Sequence, residues 1–365
     1  MSLNILTPHV DSLRWKAAVQ AMPECRRDLH YLPEYACLHT RVGEQAMAAL
    51  YQDAGGTVLY PFILRPVFIG GEPVIVDGRP AQEIVAPYGI GGPICSSEHD
   101  TEMMYTHFDV AFRDWCKQEG WASEFLCPHL FTGTLETIQR NATYISESHK
   151  NVVILPLGCL PEDLWRQCNK GHKYAIKLAR RNDIILREIK HPDSNTYQAM
   201  LDIYYDTMQR QNAAARWYID PEYFKQCSSL LGDAHCTFFC AYQQKVMIAW
   251  NIMLHDSLTM YYHYAGSTLK GQKAGAPTAL LHLASLRAQE MGLTRLYMGG
   301  GASDAPDDPV YRFKHGFTKN TQKFYIAWRI LNDTVYKKLC DAKIVYEKRV
   351  GYIAKDQKFF PLYRR

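Results

Sequence analysis

The chain has 365 residues, too many for one average domain and a natural length for two. It is 47% hydrophobic and 21% charged, as expected of a globular protein with a sizeable core, and its net charge of only +4 argues against wholesale coating of nucleic acid, so no DNA partner is expected. No apolar run approaches the length that crosses a bilayer, and the opening MSLNILTPHVDSLRWKAAV lacks a basic segment leading into an apolar one, which points to a cytoplasmic protein whose contact with a membrane would be peripheral.

In the first half a helix is expected near Gly43–Asp53, then strands at Thr57–Phe68 and Gly71–Asp77, and a glycine turn at Tyr88–Pro93 (YGIGGP). A helix at Asp100–Gln118, a break at Gly120 and an apolar run at Ala122–Leu126 follow. The second half reads as a helix at Glu162–Arg181, a strand at Ile184–Ile189, and helices at Ser194–Gln211 and Pro221–Leu231. Strands are then expected at Cys236–Tyr242, Lys245–His255 and Ser257–Ala265, a helix at Pro277–Met291 ending at Gly292, and a strand at Arg295–Met298. Lys323–Leu331 reads as a further strand and Thr334–Lys343 as a helix before a Tyr- and Lys-rich tail. The unit of helix, glycine and strand at Phe112–Cys127 recurs at Ser285–Met298, so two halves built alike, each with a mixed α/β sheet, are expected. The expected bounds are 1–155, 156–335, and 336–365 for a C-terminal helix and tail, with Val153–Leu160 as the crossing segment.

Eleven scattered cysteines, odd in number, form neither a CxxC pair nor a His/Cys metal spacing, so they are expected to be reduced and no metal ligand is named. The chemistry gathers elsewhere. At Leu296–Phe317 (LYMGGGASDAPDDPVYRFKHGF) an apolar run breaks into Gly299, Gly300 and Gly301, an acidic loop follows with Asp304, Asp307 and Asp308, and a helix opens at Pro309 and carries Lys314. Consecutive glycines fit a backbone that needs positive φ or must admit a close neighbour. A cation just beyond them can face charge developing on a carbonyl or phosphate. An aspartate directly before Pro309 suits a helix cap, which assigns that part to Asp308. Lys170–Arg181 (KGHKYAIKLARR) packs five Lys/Arg and a histidine into one helix, which is either a solvated face or a phosphate clamp. His263 and Tyr264, neighbours on a strand, are expected to point to opposite sides, and Tyr264 is the one chosen for the cleft.

A strand meander followed by a glycine-containing loop, a helix and a further strand is the order of a GNAT-type acyltransferase. Four pieces in order, Tyr88–Pro93, Trp165–Arg181, Tyr261–Ala276 (YYHYAGSTLKGQKAGA) and Leu296–Phe317, resemble the Fem family of peptidoglycan-bridge aminoacyltransferases and related tandem-GNAT proteins, over roughly residues 30 to 330. The resemblance implies two tandem GNAT-like domains and transfer of an aminoacyl or acyl group to the amine of a cell-envelope precursor, with no tightly bound cofactor. The donor would be an aminoacyl-tRNA or an acyl-CoA and the acceptor nucleotide- or lipid-linked. It further implies Lys314 as the stabiliser near the reacting carbonyl; from the residues themselves, Asp304 is the candidate to take the ammonium proton or orient the acceptor, with Asp307 and Asp308 as rivals between which the sequence does not choose, beside Tyr264. Lys173, Lys177, Arg180 and Arg181 would clamp the acceptor's phosphates, and Tyr88, Gly91, Gly92, Gly299, Gly300 and Gly301 would border the substrate. Lys270, Gly271, Lys273, Gly275 and Ala276 would form a donor phosphate loop, although Pro277 stands where the coenzyme A signature has a small residue. An acyl-CoA-dependent N-acyltransferase of an amino sugar is the alternative, and a catalytically silent binding module the third. No charged heptads mark the coiled-coil arm that some Fem enzymes carry.

Overall fold

The structure, a computed structural model, describes residues 2–97, 101–305, 307–351 and 359–365. The chain forms two units, Met1–Ser148 with Tyr325–Arg365, and His149–Phe324. The stretch from residue 325 onward therefore belongs with the first unit, whereas the sequence bounds place it with the second half and a separate tail.

Unit 1 opens with β1 (Ser2–Leu6), α1 (Ser12–Gln20) and α2 (Pro33–Leu38), followed by β2 (Gln45–Asp53) and β3 (Gly56–Pro66). Of residues 43–53, expected as a helix, Gln45–Asp53 instead make the strand β2. It lies antiparallel between β1 and β3, with Leu50 opposite both Asn4 and Leu59. Two partner strands decide the conformation where intrinsic propensity is a weak prior. Two short hairpins come next, β4 (Phe68–Ile69) with β5 (Glu72–Pro73) and β6 (Ile75–Val76) with β7 (Arg79–Pro80). Then follow β8 (Gln82–Gly91), β9 (Ile94–Cys95), α3 (Thr101–Glu119), β10 (Ser123–Pro128) and α4 (Thr134–Arg140). The expected start of α3 at Asp100 lies outside the described residues. The YGIGGP run is not a free turn, since Tyr88–Gly91 ends β8. Beside β10 that strand is irregular: Val85 faces Phe125 but Ile90 faces Cys127, five residues spanned against two.

Unit 2 takes over along β11 (Ile145–Pro156). The single helix expected at Glu162–Arg181 is two, α5 (Pro161–Gln167) and α6 (Lys170–Arg181), because Cys168 is extended and Asn169 caps α6 by accepting the His172 amide. After β12 (Ile185–Ile189), α7 (Ser194–Arg210) and α8 (Tyr223–His235) comes the expected meander of β13 (Cys236–Gln243), β14 (Val246–His255) and β15 (Thr259–Ser267). Then come α9 (Leu269–Lys273), α10 (Ala276–Glu290), β16 (Arg295–Gly299) and α11 (Pro309–His315). The strands run in the order β11, β16, β15, β14, β13, β12, with β15 and β16 parallel and the other pairs antiparallel. Leu280, Leu281 and Ala284 of α10 pack with Met253, Met260, Leu296 and Phe317 in its core.

β17 (Thr321–Ile330), α12 (Asp333–Val350) and a 3-10 turn at Leu362–Arg364 follow, and unit 1 then has strands in the order β1, β2, β3, β8, β10, β17. Tyr60, Phe62, Phe108, Phe112 and Trp121 fill its core. β10 lies parallel to β8 and antiparallel to β17, just as β16 lies parallel to β15 and antiparallel to β11. The preceding helices also end alike. Gly120 and Gly292 both take positive φ, +75° and +78°. The next amide returns to the helix in each case, Trp121 to the Cys116 carbonyl and Leu293 to that of Ala288. The repeat seen at Phe112–Cys127 and Ser285–Met298 is therefore a repeat of structure. Of the expected tail, residues 352–358 lie outside the described residues, while Tyr363 is buried: it donates to Glu83 (2.5 Å) and accepts from Ser123 (2.6 Å).

Candidate functional site

Each of the three glycines at the end of β16 has its own physical reason. Gly299 needs positive φ (+73°), and a β-carbon there would lie 3.5 Å from the Lys314 ammonium. At Gly300 a β-carbon would press on the Asn151 carbonyl and the Lys150 stem, both 3.0 Å away. At Gly301 it would overlap the Asp308 carboxylate. The turn is thus closed down on Lys150 of β11 from one side and on α11 from the other.

Asp308 holds the loop. It caps α11 by accepting the Tyr311 amide at 2.9 Å, and its other oxygen accepts the amide and hydroxyl of Ser303 at 2.9 and 3.0 Å. Burial alone would raise its carboxyl, but these donors hold it below the usual range. Lys314, the last residue but one of α11, donates to the Gly300 carbonyl at 2.7 Å and stands 5.8 Å over the Tyr262 ring. Burial, reinforced by the positive charge of Lys150 and opposed by Asp308, pushes its ammonium down to about 7. Lys314 is therefore a held, partly buried amine that takes and releases a proton near neutrality, rather than a solvated surface lysine. Asp304 is exposed and pairs with His149 at 3.8 Å.

The tyrosine beside Lys314 is Tyr262, not Tyr264. Ile252 of β14 faces Tyr264 and Met253 faces Tyr262, so His263 is an extra residue in β15. That bulge breaks the strict alternation expected from sequence. Tyr264 packs instead with Tyr204, Tyr223 and Phe224 of α7 and α8. His263 sits with it, its ring 4.7 Å from that of Tyr264 and its Nε2 2.6 Å from the Tyr223 hydroxyl. The two neighbours expected to face apart thus share one aromatic cluster.

α6 sits across both of the motifs that frame α10 and α11. A β-carbon at Gly275 would run into the Ala175 carbonyl, and one at Gly271 into the Ile248 carbonyl. At Gly316 it would run into the His172 ring, whose Nε2 bonds the Phe313 carbonyl at 2.8 Å. These glycines make room for neighbouring chain, and Gly271, Gly275 and Ala276 are buried by it. Pro277 removes one more amide from the start of α10. Lys270 and Lys273 are exposed. On α6, Lys173 donates to the Arg166 carbonyl at 3.0 Å and Lys177 lies 5.8 Å over Trp165, while Arg180 and Arg181 face solvent.

In unit 1, Tyr88 is half exposed with φ +53°, its ring 4.7 Å from that of His39. A non-glycine residue at such φ is strained. Gly91 and Gly92 are buried, and a side chain at Gly92 would overlap Thr134. One group among the described residues could hold a metal ion, the buried Asp28, His30 and His129. Asp28 lies 2.5 Å from His30 Nδ1 and 3.3 Å from His129 Nε2. The Phe131 amide donates to His129 Nδ1 at 3.2 Å, which leaves the ring proton on Nε2, directed at Asp28. That tautomer makes a hydrogen-bonded carboxylate and opposes ligation, which needs the Nε2 lone pair. Lys150 and Tyr262 were not found from sequence: Lys150 belongs to no local motif, and the part of Tyr262 depends on the bulge.

No family model matches the sequence. A UDP-N-acetylmuramoylpentapeptide-lysine N(6)-alanyltransferase of Weissella viridescens is 28% identical over 120 residues, 32% of this chain and 35% of that protein, so the match spans about a third of that relative's length. The crystal structure of FemX superposes with a TM-score of 0.70 at 12% identity, over 93% of this chain and 99% of that one. L-PGS from Bacillus licheniformis gives 0.56 at 12% identity, over 88% and 92%. A tandem GNAT protein from the clavulanic acid biosynthesis pathway gives 0.52 at 8% identity, over 91% and 99%. No helix of the described residues is long and apolar enough to cross a membrane. The sheet order, the repeated helix–glycine–strand unit and these superpositions agree: the chain shares the fold of FemX and of the tandem GNAT protein.

Proposed function

We propose that the chain is an aminoacyltransferase that moves an aminoacyl group onto the amine of a peptidoglycan precursor, with Lys314 at the reacting carbonyl. The observation that carries this reading is the Lys314 amine, fixed by the Gly300 carbonyl at a turn from which three side chains are missing. The close packing of that turn holds the amine in place, and a held cation stabilises an oxyanion without reorganising. The Weissella relative acts on the lysine of UDP-N-acetylmuramoylpentapeptide, and that class of acceptor is adopted here.

The donor in this reading is a charged tRNA. A coenzyme A pyrophosphate needs free amides at the start of α10, and there Gly275 backs onto Ala175, Ala276 is buried and residue 277 is proline. That crowding disfavours the thioester donor and with it the amino-sugar alternative. Lys177, Arg180 and Arg181, exposed along one helix, supply phosphate contacts, and the reaction belongs in the cytoplasm, where charged tRNA is found.

The test is to incubate the purified chain with UDP-N-acetylmuramoylpentapeptide and either alanyl-tRNA or acetyl-CoA. Mass spectrometry should show one added alanyl residue with the first donor and no added acetyl group with the second. Acetylation without alanylation would reverse the donor assignment. Replacing Lys177 and Arg181 with alanine should weaken binding of the phosphate-bearing partner and flatten its salt dependence by about two released counterions. An unchanged salt slope would make α6 a solvated face.

A further inference from the structure

Lys150 precedes the buried run of β11, and its stem lies against Gly300, with Cδ 3.0 Å from the place a β-carbon would take. Lys314 reaches the same glycine from α11 and donates to its carbonyl. Two lysines from opposite ends of the unit therefore converge on one residue that has no side chain to separate them. The charged and titratable groups facing Lys314 are Lys150 on β11, Asp308 at the start of α11 and Tyr262 on β15. Asp308 is committed to three donors of its own loop. Like charge close by and partial desolvation are the two conditions that turn a lysine into a base.

We propose that the two act as a pair in the transfer described above: Lys150 is a positioning residue whose positive charge favours the uncharged form of Lys314, and Lys314 is the proton acceptor for the incoming ammonium. The inference rests on the aminoacyl-transfer reading. In the first step Lys314 takes a proton from the acceptor's ammonium, leaving a neutral amine. The amine's lone pair forms the C–N bond to the ester carbonyl carbon, and the carbonyl π electrons move to oxygen. Lys314, now an ammonium, faces that oxyanion. The C–O bond to the ribose then breaks, its electron pair leaves with the ribose oxygen, and Lys314 returns its proton there. The second proton on nitrogen goes to water. Lys314 thereby already carries its charge when the opposite charge forms on oxygen, which places the interaction in the transition state.

The test reads Lys314 directly, without any substrate. Trace labelling of amines with acetic anhydride across a pH series, followed by mass spectrometry of the Lys314 peptide, gives its titration midpoint in the full chain. The parent should titrate near neutrality. Lys150→Met should move the midpoint upward by on the order of one pH unit, and Lys150→Arg, which keeps the charge, should restore it. With alanyl-tRNA and muramoylpentapeptide, the acid limb of the pH–rate profile should move by the same amount in Lys150→Met. A parent midpoint in the ordinary lysine range, or one that ignores Lys150→Met, overturns the pairing even where transfer is observed. Should Lys150→Met fail to fold, a displaced midpoint in Lys150→Gln that Lys150→Arg restores supports the pairing, and equal midpoints in those two overturn it. A midpoint that shifts as expected in a chain with no transfer activity leaves the pairing standing and removes the aminoacyl-transfer reading instead.

Discussion

In unit 1 the strand that follows the helix–glycine break, β10, places Glu124 directly opposite Arg329 of β17. In unit 2 the equivalent strand, β16, runs out into three glycines with Lys314 held above them. Both strands have a parallel partner on one side and an antiparallel one on the other, and both are reached through a glycine with positive φ. The charges are spent differently. Glu124 accepts from Arg329 Nε (2.6 Å), Tyr60 (2.5 Å) and Tyr144 (2.8 Å), and Arg329 also bonds Asp109. Every member of that network is satisfied within the core, so it fixes a structure. Among the described residues Lys314 has a single carbonyl partner, and its ammonium is depressed, so it is left with a proton to exchange. A shared framework can carry a locked charge in one copy and a working one in the other.

The largest effect should come from unlocking the first. Glu124→Ala leaves the Arg329 guanidinium buried without its main partner and should cost about 3–5 kcal/mol, read by urea unfolding. A loss below ~1 kcal/mol would place that network in solvent-accessible surroundings and dissolve the contrast. Lys314→Met should do the opposite. Turnover should fall about a hundredfold, or on the order of 3 kcal/mol, with little change in substrate affinity. Stability should rise. The folded ammonium titrates near 7 and the unfolded one near its ordinary value of 10.5, so between those values the unfolded chain binds more protons, and below that window the lysine's charge opposes folding. A melting temperature that drops in Lys314→Met would mean the lysine is structural after all.

Acidification should then act on buried neutral histidines. Burial, with His235, Arg287 and Lys190 adding like charge, pushes His255 down to about 4 from its ordinary 6.5. Since the folded value is the lower one, stability is full above 6.5 and is lost as pH falls toward 4. Between pH 7 and 5 the loss from this group is about 2 kcal/mol. His255→Gln should flatten that part of the acid slope in urea midpoints measured at both pH values. In unit 1, burial likewise lowers His30, against the pull of Asp28. A residual slope in His255→Gln is therefore expected, and a slope identical to the parent's would show that His255 does not report unit 2.

Where a signal is local, the sequence carries it. The meander from Cys236 to Ala265, the helix at Pro277–Met291 and Asp308 as the cap of α11 are legible because periodicity, proline and capping chemistry act within a few residues. The tandem fold is legible for the same reason, through two copies of one local unit. What escapes depends on partners distant in sequence. β2 is a strand because β1 and β3 flank it, and nothing in GEQAMAALYQD says so. Tyr262 displaces Tyr264 through one inserted residue that only the register against β14 reveals. Gly271 and Gly275 read as a phosphate cradle, yet they make space for Ile248 and Ala175. A glycine signals a close approach without saying whether ligand or chain will approach.

The smallest expected effect, loss of the Tyr363 hydroxyl, tests how firmly the end of the chain belongs to unit 1. Tyr363 is buried, donates to Glu83 and accepts from Ser123, and Arg364 beside it bonds the Pro66 carbonyl at 2.9 Å. These contacts tie the last residues to β3, β8 and β10. Removing the hydroxyl alone keeps the ring packed against Tyr336 (centroids 5.4 Å apart), so Tyr363→Phe isolates the polar contribution. Glu83 retains Arg65 at 2.5 Å and is not stranded, which keeps the cost near that of an ordinary buried hydrogen bond, about 1 kcal/mol. Full truncation, Tyr363→Ala, adds the loss of a buried aromatic and should cost about 3–5 kcal/mol. The ratio matters more than either value. If both variants unfold at the parent's urea midpoint, the terminal residues are not part of the cooperative unit. If Tyr363→Phe costs as much as Tyr363→Ala, the hydroxyl network holds the end in place and the ring merely follows it.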